Sequence, residues 1–258
     1  MSPTELFQEA RLDEAIAAQR VIVEARPDDV SERLLLSELM AFSGNREVVR
    51  RCLDQIEPPE VQEFVREWRK LLTADDARHA GVPPQFLIDP PAHILQRLNA
   101  AKLLVAGRDE EARELLDDAD ELASWVEGYV DGRQFEGWRD ADDLLGPVVE
   151  AFHGERYLWI PIEQVRKLRL DEGDELRDAL YRPATVQLRD ESQWEVFIPA
   201  LYAGTAEHPE EGIRTGAGVD WVDRGGLVRG VGSRTYLFGE EELSLSEFRQ
   251  VEVRHTSH

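Results

Sequence analysis

Tyr157-Leu158-Trp159-Ile160-Pro161-Ile162-Glu163-Gln164-Val165-Arg166-Lys167-Leu168-Arg169-Leu170 is the stretch on which the fold class turns. Its first five residues read as a short aromatic strand. Its last six alternate apolar with basic residues, the period of a half-buried strand with one wet face. Downstream, residues 184–188 and 194–198 repeat the strand signal around Arg189-Asp190-Glu191-Ser192-Gln193, a hairpin turn. Residues 219–222, 235–238 and 249–253 complete a set of about six or seven short strands. Residues 204–218 carry Pro, Gly and acids and read as a surface loop. Ser244-Leu245-Ser246-Glu247-Phe248 reads as a helical turn before the last strand. The expectation is a small antiparallel, partly barrel-like β domain over residues 157–258.

Upstream the period is helical. Leu34, Leu35, Leu36, Leu39, Met40 and Phe42 build a wide apolar stripe. Ala10-Arg11-Leu12-Asp13-Glu14-Ala15 returns loosely as Gly44-Asn45-Arg46-Glu47-Val48, and Ala10 and Gly44 are 34 residues apart, the tetratricopeptide period. A third copy is Ala106-Gly107-Arg108-Asp109-Glu110-Glu111-Ala112, between helices over roughly 92–106 and 109–123. Each helix pair in such an array must bury its apolar face on a neighbour. Ala25-Arg26-Pro27 closes one helix, Pro58-Pro59 another, and Glu60 starts a helix reaching about Ala80. Residues 81–91 read as an ordered connector, because Phe86-Leu87-Ile88 sits between proline pairs. Residues 1–124 are therefore expected to be a TPR-like helical repeat domain, residues 125–156 an acidic junction, and the whole chain α+β. The plain alternative for the first half is an antiparallel helical bundle.

The chain has 258 residues and a formal net charge of −23. That balance excludes a nucleic-acid partner, since phosphate binding needs Lys and Arg, and it disfavours an anionic membrane surface. No run of about 18 apolar residues exists to insert in a membrane. Met1-Ser2-Pro3-Thr4-Glu5-Leu6 lacks the pattern of a signal peptide, and Cys52 stands alone, so a cytoplasmic location is expected. The charge is unevenly placed: residues 109–155 hold 16 acids and 3 bases, a net −13. Lys70, Lys102 and Lys167 are the only lysines, an arginine bias that a salt-rich cytoplasm or a GC-rich genome produces. A halophilic composition would spread acids over every exposed face.

Candidate chemistry is sparse. Asp140-Ala141-Asp142-Asp143 clusters carboxylates, but lacks the alternating ligands, central Gly and closing Glu of a calcium loop. It reads more simply as a solvated helix start, with Asp140 or Asp142 as the cap. His79, His93, His153, His208, His255 and His258 show no zinc-site spacing, and the last two fall in the tail. Cys52 reads as a buried structural thiol. Gly216-Ala217-Gly218 precedes a strand, and the glycines of residues 225–232 lack a following Lys-Ser or Lys-Thr, so both are turns and bulges. No nucleophile elbow occurs. No catalytic residue, cofactor or metal ligand is assigned. Five of the six tryptophans fall between Trp125 and Trp221, and Trp138, beside Gly137 and Arg139-Asp140, is expected to be partly exposed.

The junction carries the specific signal: Phe135-Glu136-Gly137-Trp138-Arg139-Asp140-Ala141-Asp142-Asp143-Leu144-Leu145-Gly146-Pro147-Val148-Val149-Glu150, then Gly154-Glu155-Arg156-Tyr157-Leu158-Trp159-Ile160-Pro161. It resembles the ImpE/TagJ family, accessory proteins of bacterial type VI secretion. The later Leu176-Arg177-Asp178-Ala179-Leu180-Tyr181-Arg182-Pro183-Ala184, Phe197-Ile198-Pro199 to Tyr202, and Gly232-Ser233-Arg234-Thr235-Tyr236-Leu237-Phe238 are similar to it as well. Gly137 departs from the pattern and bears on how Trp138 packs.

The resemblance implies a non-catalytic adaptor that binds the amino-terminal helix of the small sheath subunit and is linked to the ATPase ClpV. Helical repeats suit such a helix, and an acidic stretch would steer a basic partner. Trp138, Asp140, Asp142, Asp143, Arg156 and Trp159 are the expected partner-binding residues. The alternatives are a general TPR-like scaffold or chaperone-like protein outside secretion, and a metal-dependent hydrolase using Asp140, Asp142 and Asp143.

Overall fold

A computed structural model describes residues 1–173 and 175–254; His255 and His258 lie outside the described residues. The first half is helical: α1 (Pro3–Gln8), α2 (Leu12–Ala25), α3 (Val30–Phe42), α4 (Arg46–Asp54), α5 (Gln62–His79), α6 (Ala92–Val105) and α7 (Asp109–Leu122). Short polar residues start several of them. Ser2 and Glu5 form a reciprocal capping box on α1, Asp29 caps α3 and Asn45 caps α4. The three turn positions read from the sequence share one backbone conformation: φ is 57° at Ala10, 72° at Gly44 and 72° at Gly107. Small residues tolerate that left-handed geometry, which lets one helix fold back on the next. Sequential pairs α1–α2, α2–α3, α3–α4 and α6–α7 pack together.

The second half is antiparallel β structure. One sheet has eight strands in the order β2 (Arg133–Glu136), β1 (Glu127–Val130), β13 (Gln250–Arg254), β6 (Val165–Leu170), β7 (Tyr181–Leu188), β8 (Gln193–Pro199), β4 (Val148–His153), β5 (Arg156–Pro161). A three-stranded sheet holds β12 (Glu241–Ser244), β11 (Thr235–Phe238) and β3 (Trp138–Asp140), and β9 (Val219–Arg224) pairs with β10 (Leu227–Gly232). The partly barrel-like closure expected from the sequence is not found among the described residues: the large sheet runs open from β2 to β5.

Two cores explain the layering. Val148 and Phe152 of β4 join a core with the helices, while Val149 and Ala151 join a second core with Phe238, Phe248 and Trp138. The large sheet therefore has α5 on one face and the three-stranded sheet on the other. A strand covered on both faces loses its alternation, so β5 reads as an apolar run from Tyr157 to Pro161 and β4 as apolar residues around one enclosed acid, Glu150. The connector lies along β5: Gln85 N–H donates to Tyr157 O at 2.9 Å, and Trp159 N–H donates to Gln85 O at 3.1 Å. It thus covers an edge that would otherwise be open to pairing.

Several expectations are corrected. β structure begins at Glu127 and not at Tyr157. β1 and β2 form a hairpin across Asp131 (φ 46°) and Gly132 (φ 79°), the tight turn that Asp-Gly favours. Residues 204–218 are not an irregular loop throughout, since they include α8 (Glu211–Arg214) and buried Thr205 and Thr215. Cys52 is half-buried on α4.

Candidate functional site

The family-like segment forms the seam between the two halves, and its acids point inward. Asp140 ends β3 and is fully enclosed. One carboxylate oxygen accepts from Arg234 Nη1 at 2.7 Å, and the other from Tyr202 Oη at 2.7 Å and Asp142 N–H at 2.9 Å. Asp142 accepts from the N–H groups of Leu144 (3.0 Å), Leu145 (3.3 Å) and Gly230 (3.0 Å), and from Arg229 Nε at 2.8 Å. The helix expected to start at Asp140 or Asp142 is not formed: the Asp142 carboxylate closes a turn over residues 143–145 instead. The chain turns at Gly146 (φ 44°) into Pro147 and β4. Arg97 of α6 lies over Gly146 and donates to Asp143 O at 2.7 Å and Leu144 O at 3.1 Å.

The chain of charges then crosses the sheet. Arg234 also pairs with Glu150 on β4, which pairs with Arg78 of α5 at 3.0 Å. Arg78 continues to Asp75 at 3.5 Å and Leu201 O at 3.0 Å, and Tyr181 Oη donates to Asp75 at 3.1 Å. Tyr157 donates to Glu150 and accepts from Trp159 Nε1 at 2.6 Å. Burial alone would raise the Glu150 carboxyl, but Arg78 and Arg234 override it and hold it far below the usual carboxylate range. Asp140 has less cationic company, and burial pushes its carboxyl up to about 6 against the pull of Arg234. Such a network is costly to bury and costly to break, so it ties the helical half to one position on the sheet.

Beside this network opens a cleft of about 370 Å³, with Val82, Leu98, Val105, Leu145, Trp159 and Arg229 among its lining. The acids that reach it, Asp142 and Glu150, are already bridged to Arg229 and Arg78. The carboxylate oxygens of Asp140, Asp142 and Asp143 are likewise taken by guanidinium, hydroxyl and N–H donors, an arrangement unlike an open metal shell. Among the described residues no group of three His, Cys, Asp or Glu side chains is placed to hold a metal ion.

Of the six residues expected at a partner surface, Asp140, Asp142, Trp138 and Trp159 are buried. Trp138 is 4% exposed, which corrects the expectation that it would be partly open. Its ring stacks on Phe238 at 5.8 Å, and Gly137 (φ 92°) makes the bend that turns it inward. Asp143 and Arg156 are half-buried: Asp143 bridges Arg139 at 2.9 Å and accepts from Val228 N–H, and Arg156 donates to Gln85 at 2.9 Å. Most of the exposed acids of the block lie on α7, at Glu110, Glu111, Glu114, Asp117, Asp118, Asp120 and Glu121, and the others are Glu127, Asp131, Glu136 and Glu155. Sequence reading missed Arg78, Arg97 and Arg229, whose roles are set by partners distant along the chain, and it quoted Tyr202 at the end of a family-like segment without giving it a role. Arg234 stood within a quoted motif, yet nothing local marks an arginine as fully buried.

The chain is similar to known proteins in sequence and in fold. Residues 132–252 match the family model described as ImpE protein, which takes in most of the seam and the large sheet. The chain is 29% identical over 262 aligned positions, 99% of its length and 92% of the relative's, to the type VI secretion system accessory component TagJ of Pseudomonas aeruginosa. An X-ray crystal structure of a Vibrio parahaemolyticus protein matches with a TM-score of 0.89 over 98% of both chains at 22% identity, which shows a shared fold. No helix among the described residues is long and apolar enough to cross a membrane.

Proposed function

Starting from a chain that carries an ImpE domain and is related along its length to a type VI secretion accessory component, we propose that it is a non-catalytic adaptor of that machine. It binds the amino-terminal helix of the small sheath subunit in the cytoplasm and is linked through it to ClpV-dependent disassembly. The helical half serves as a TPR-like scaffold presenting that helix. The observation that carries this reading is the relationship over 99% of the chain, which includes the helical half and not the ImpE domain alone. Its support from chemistry is the state of the polar seam groups. Asp140, Asp142 and Glu150 are saturated by internal cations and donors, an arrangement that serves rigidity and not turnover. The test is a pull-down of the purified sheath small subunit at low and moderate salt. Absence of binding under both conditions would overturn the reading.

A further inference from the structure

The outer part of the acidic block ends in an exposed aromatic shelf. Trp125 follows α7 directly and is 74% exposed, beside Leu122 at 59%. Its six-membered ring lies against Gly137, where a Cβ would stand 2.6 Å from it. The glycine leaves the room that the indole takes, and most of the indole surface stays open to solvent. Next to it lies a cleft of about 230 Å³ whose lining includes Val126, Trp138, Pro147 and Leu237. The indole N–H of Trp138, a residue of the cleft wall, is itself buried and has no acceptor among the described residues.

The charge around this shelf is predominantly negative, with Arg113 of α7 set 3.9 Å from Asp117. Glu114, Asp117, Asp118 and Glu121 are exposed on α7, Glu136 is exposed on β2, and exposed Glu242 stands directly across from Leu237. Arg139, the cation in the cleft wall, is already bridged to Asp143. An open indole face within a field of carboxylates favours a guanidinium or ammonium laid over the ring. A second copy of this chain would bring the same acids against one another, which argues against self-association through this face.

We infer that the Trp125 shelf and its cleft are the docking site for a basic amphipathic helix, with an arginine or lysine over the Trp125 ring and an acceptor oxygen toward Trp138. This rests on the reading above, in which the partner helix belongs to the small sheath subunit. It places the contact on α7 and the β3–β11 rim and not on the buried seam.

The test is a calorimetric titration of the full chain with that helix as a synthetic peptide from the same secretion cluster. A second peptide has its arginines and lysines replaced by glutamine. Trp125→Ala is expected to weaken binding about tenfold or more, as loss of an aromatic anchor does, with unchanged melting. Neutralising Glu114, Asp117, Asp118 and Glu121 is expected to weaken it at low salt, with the difference closing as salt screens the field. The glutamine peptide should bind the native chain about as weakly as the basic peptide binds the neutralised variant. Equal binding by native chain and both variants would overturn the docking site and leave the sheath reading standing. No binding of the basic peptide to the native chain would overturn both. Native dimers in sedimentation that Trp125→Ala dissolves would assign the face to a second copy and overturn the inference.

Discussion

Arg234 Nη1 lies 2.7 Å from Asp140 Oδ2, and both side chains are completely enclosed. The same guanidinium pairs with Glu150, so one cation answers two carboxylates from different sheets. Arg234→Met would leave both acids buried with reduced compensation. The expected cost is about 3–5 kcal/mol, the range for removing one partner of a buried pair. In a chain of this size that lowers the melting temperature by on the order of 10 °C. The triple change Asp140→Leu, Glu150→Leu, Arg234→Met should recover part of the loss, because both enclosed acids leave with their cation and Arg78 keeps Asp75 at 3.5 Å as a partner. Thermal denaturation of the single and triple variants checks both statements.

Tyr202 reaches Asp140 only because residue 230 is glycine. A Cβ there would stand 2.3 Å from the Tyr202 ring. Gly230→Ala must displace that ring, breaking the 2.7 Å bond to Asp140 and the 3.1 Å bond from Thr235 N–H. Overpacking of this kind costs about 1–3 kcal/mol, with the lost hydrogen bonds in addition. Gly230→Ala with Tyr202→Ala should be less than additive, since the alanine then meets open space. Urea denaturation of the two single variants and the double variant measures that coupling.

Glu38 makes stability depend on pH in a definite direction. Burial pushes its carboxyl up to about 7 in the folded chain, against the 4.5 of an ordinary glutamate. The folded state therefore holds the proton more tightly than the unfolded one. Its contribution is full below about pH 4.5 and is lost as pH rises through 7. Glu38→Gln should remove this slope, leaving the variant more stable than the native chain at pH 8 by on the order of 1–3 kcal/mol. Unfolding free energies at pH 5 and pH 8 are the measurement. An equal difference between the two proteins at both pH values would refute the assignment.

The helical half was the more legible part of the sequence. Its turns need a small residue with positive φ, so Ala10, Gly44 and Gly107 mark them locally. Strand β6 was equally plain in its second half, where buried Leu168 and Leu170 flank exposed Arg169, while a bulge between Val165 and Lys167 brings Val165 to the same buried face. Strand β4 was not recognised, because Val148 to Phe152 is buried on both faces and carries no alternation. The Asp131-Gly132 turn was a local signal passed over beneath the count of acids. The seam was legible as a motif but not as an environment. Nothing within Asp140-Ala141-Asp142 says that Arg234 and Arg229 arrive from about 90 residues away to neutralise it. Net charge per segment measures composition, and only folding decides which acids face water.

That division of the acidic block separates stability from recognition. Asp142 accepts from Arg229 at 2.8 Å and from three backbone N–H groups, and 1% of its surface is exposed. Its charge is answered within the molecule and projects little field outward. Asp140→Asn and Asp142→Asn are therefore expected to destabilise the chain by about 2–4 kcal/mol each, as weakened buried charge pairs do. At a temperature where both variants stay folded, their affinity for a basic partner should keep the native salt dependence. A charge acts at a distance only where water, and not a guanidinium, is its nearest neighbour. Binding of the sheath-subunit helix at two salt concentrations, beside melting curves of the same proteins, measures the two effects independently. A reduced salt dependence in Asp142→Asn with unchanged melting would return this residue to the partner surface.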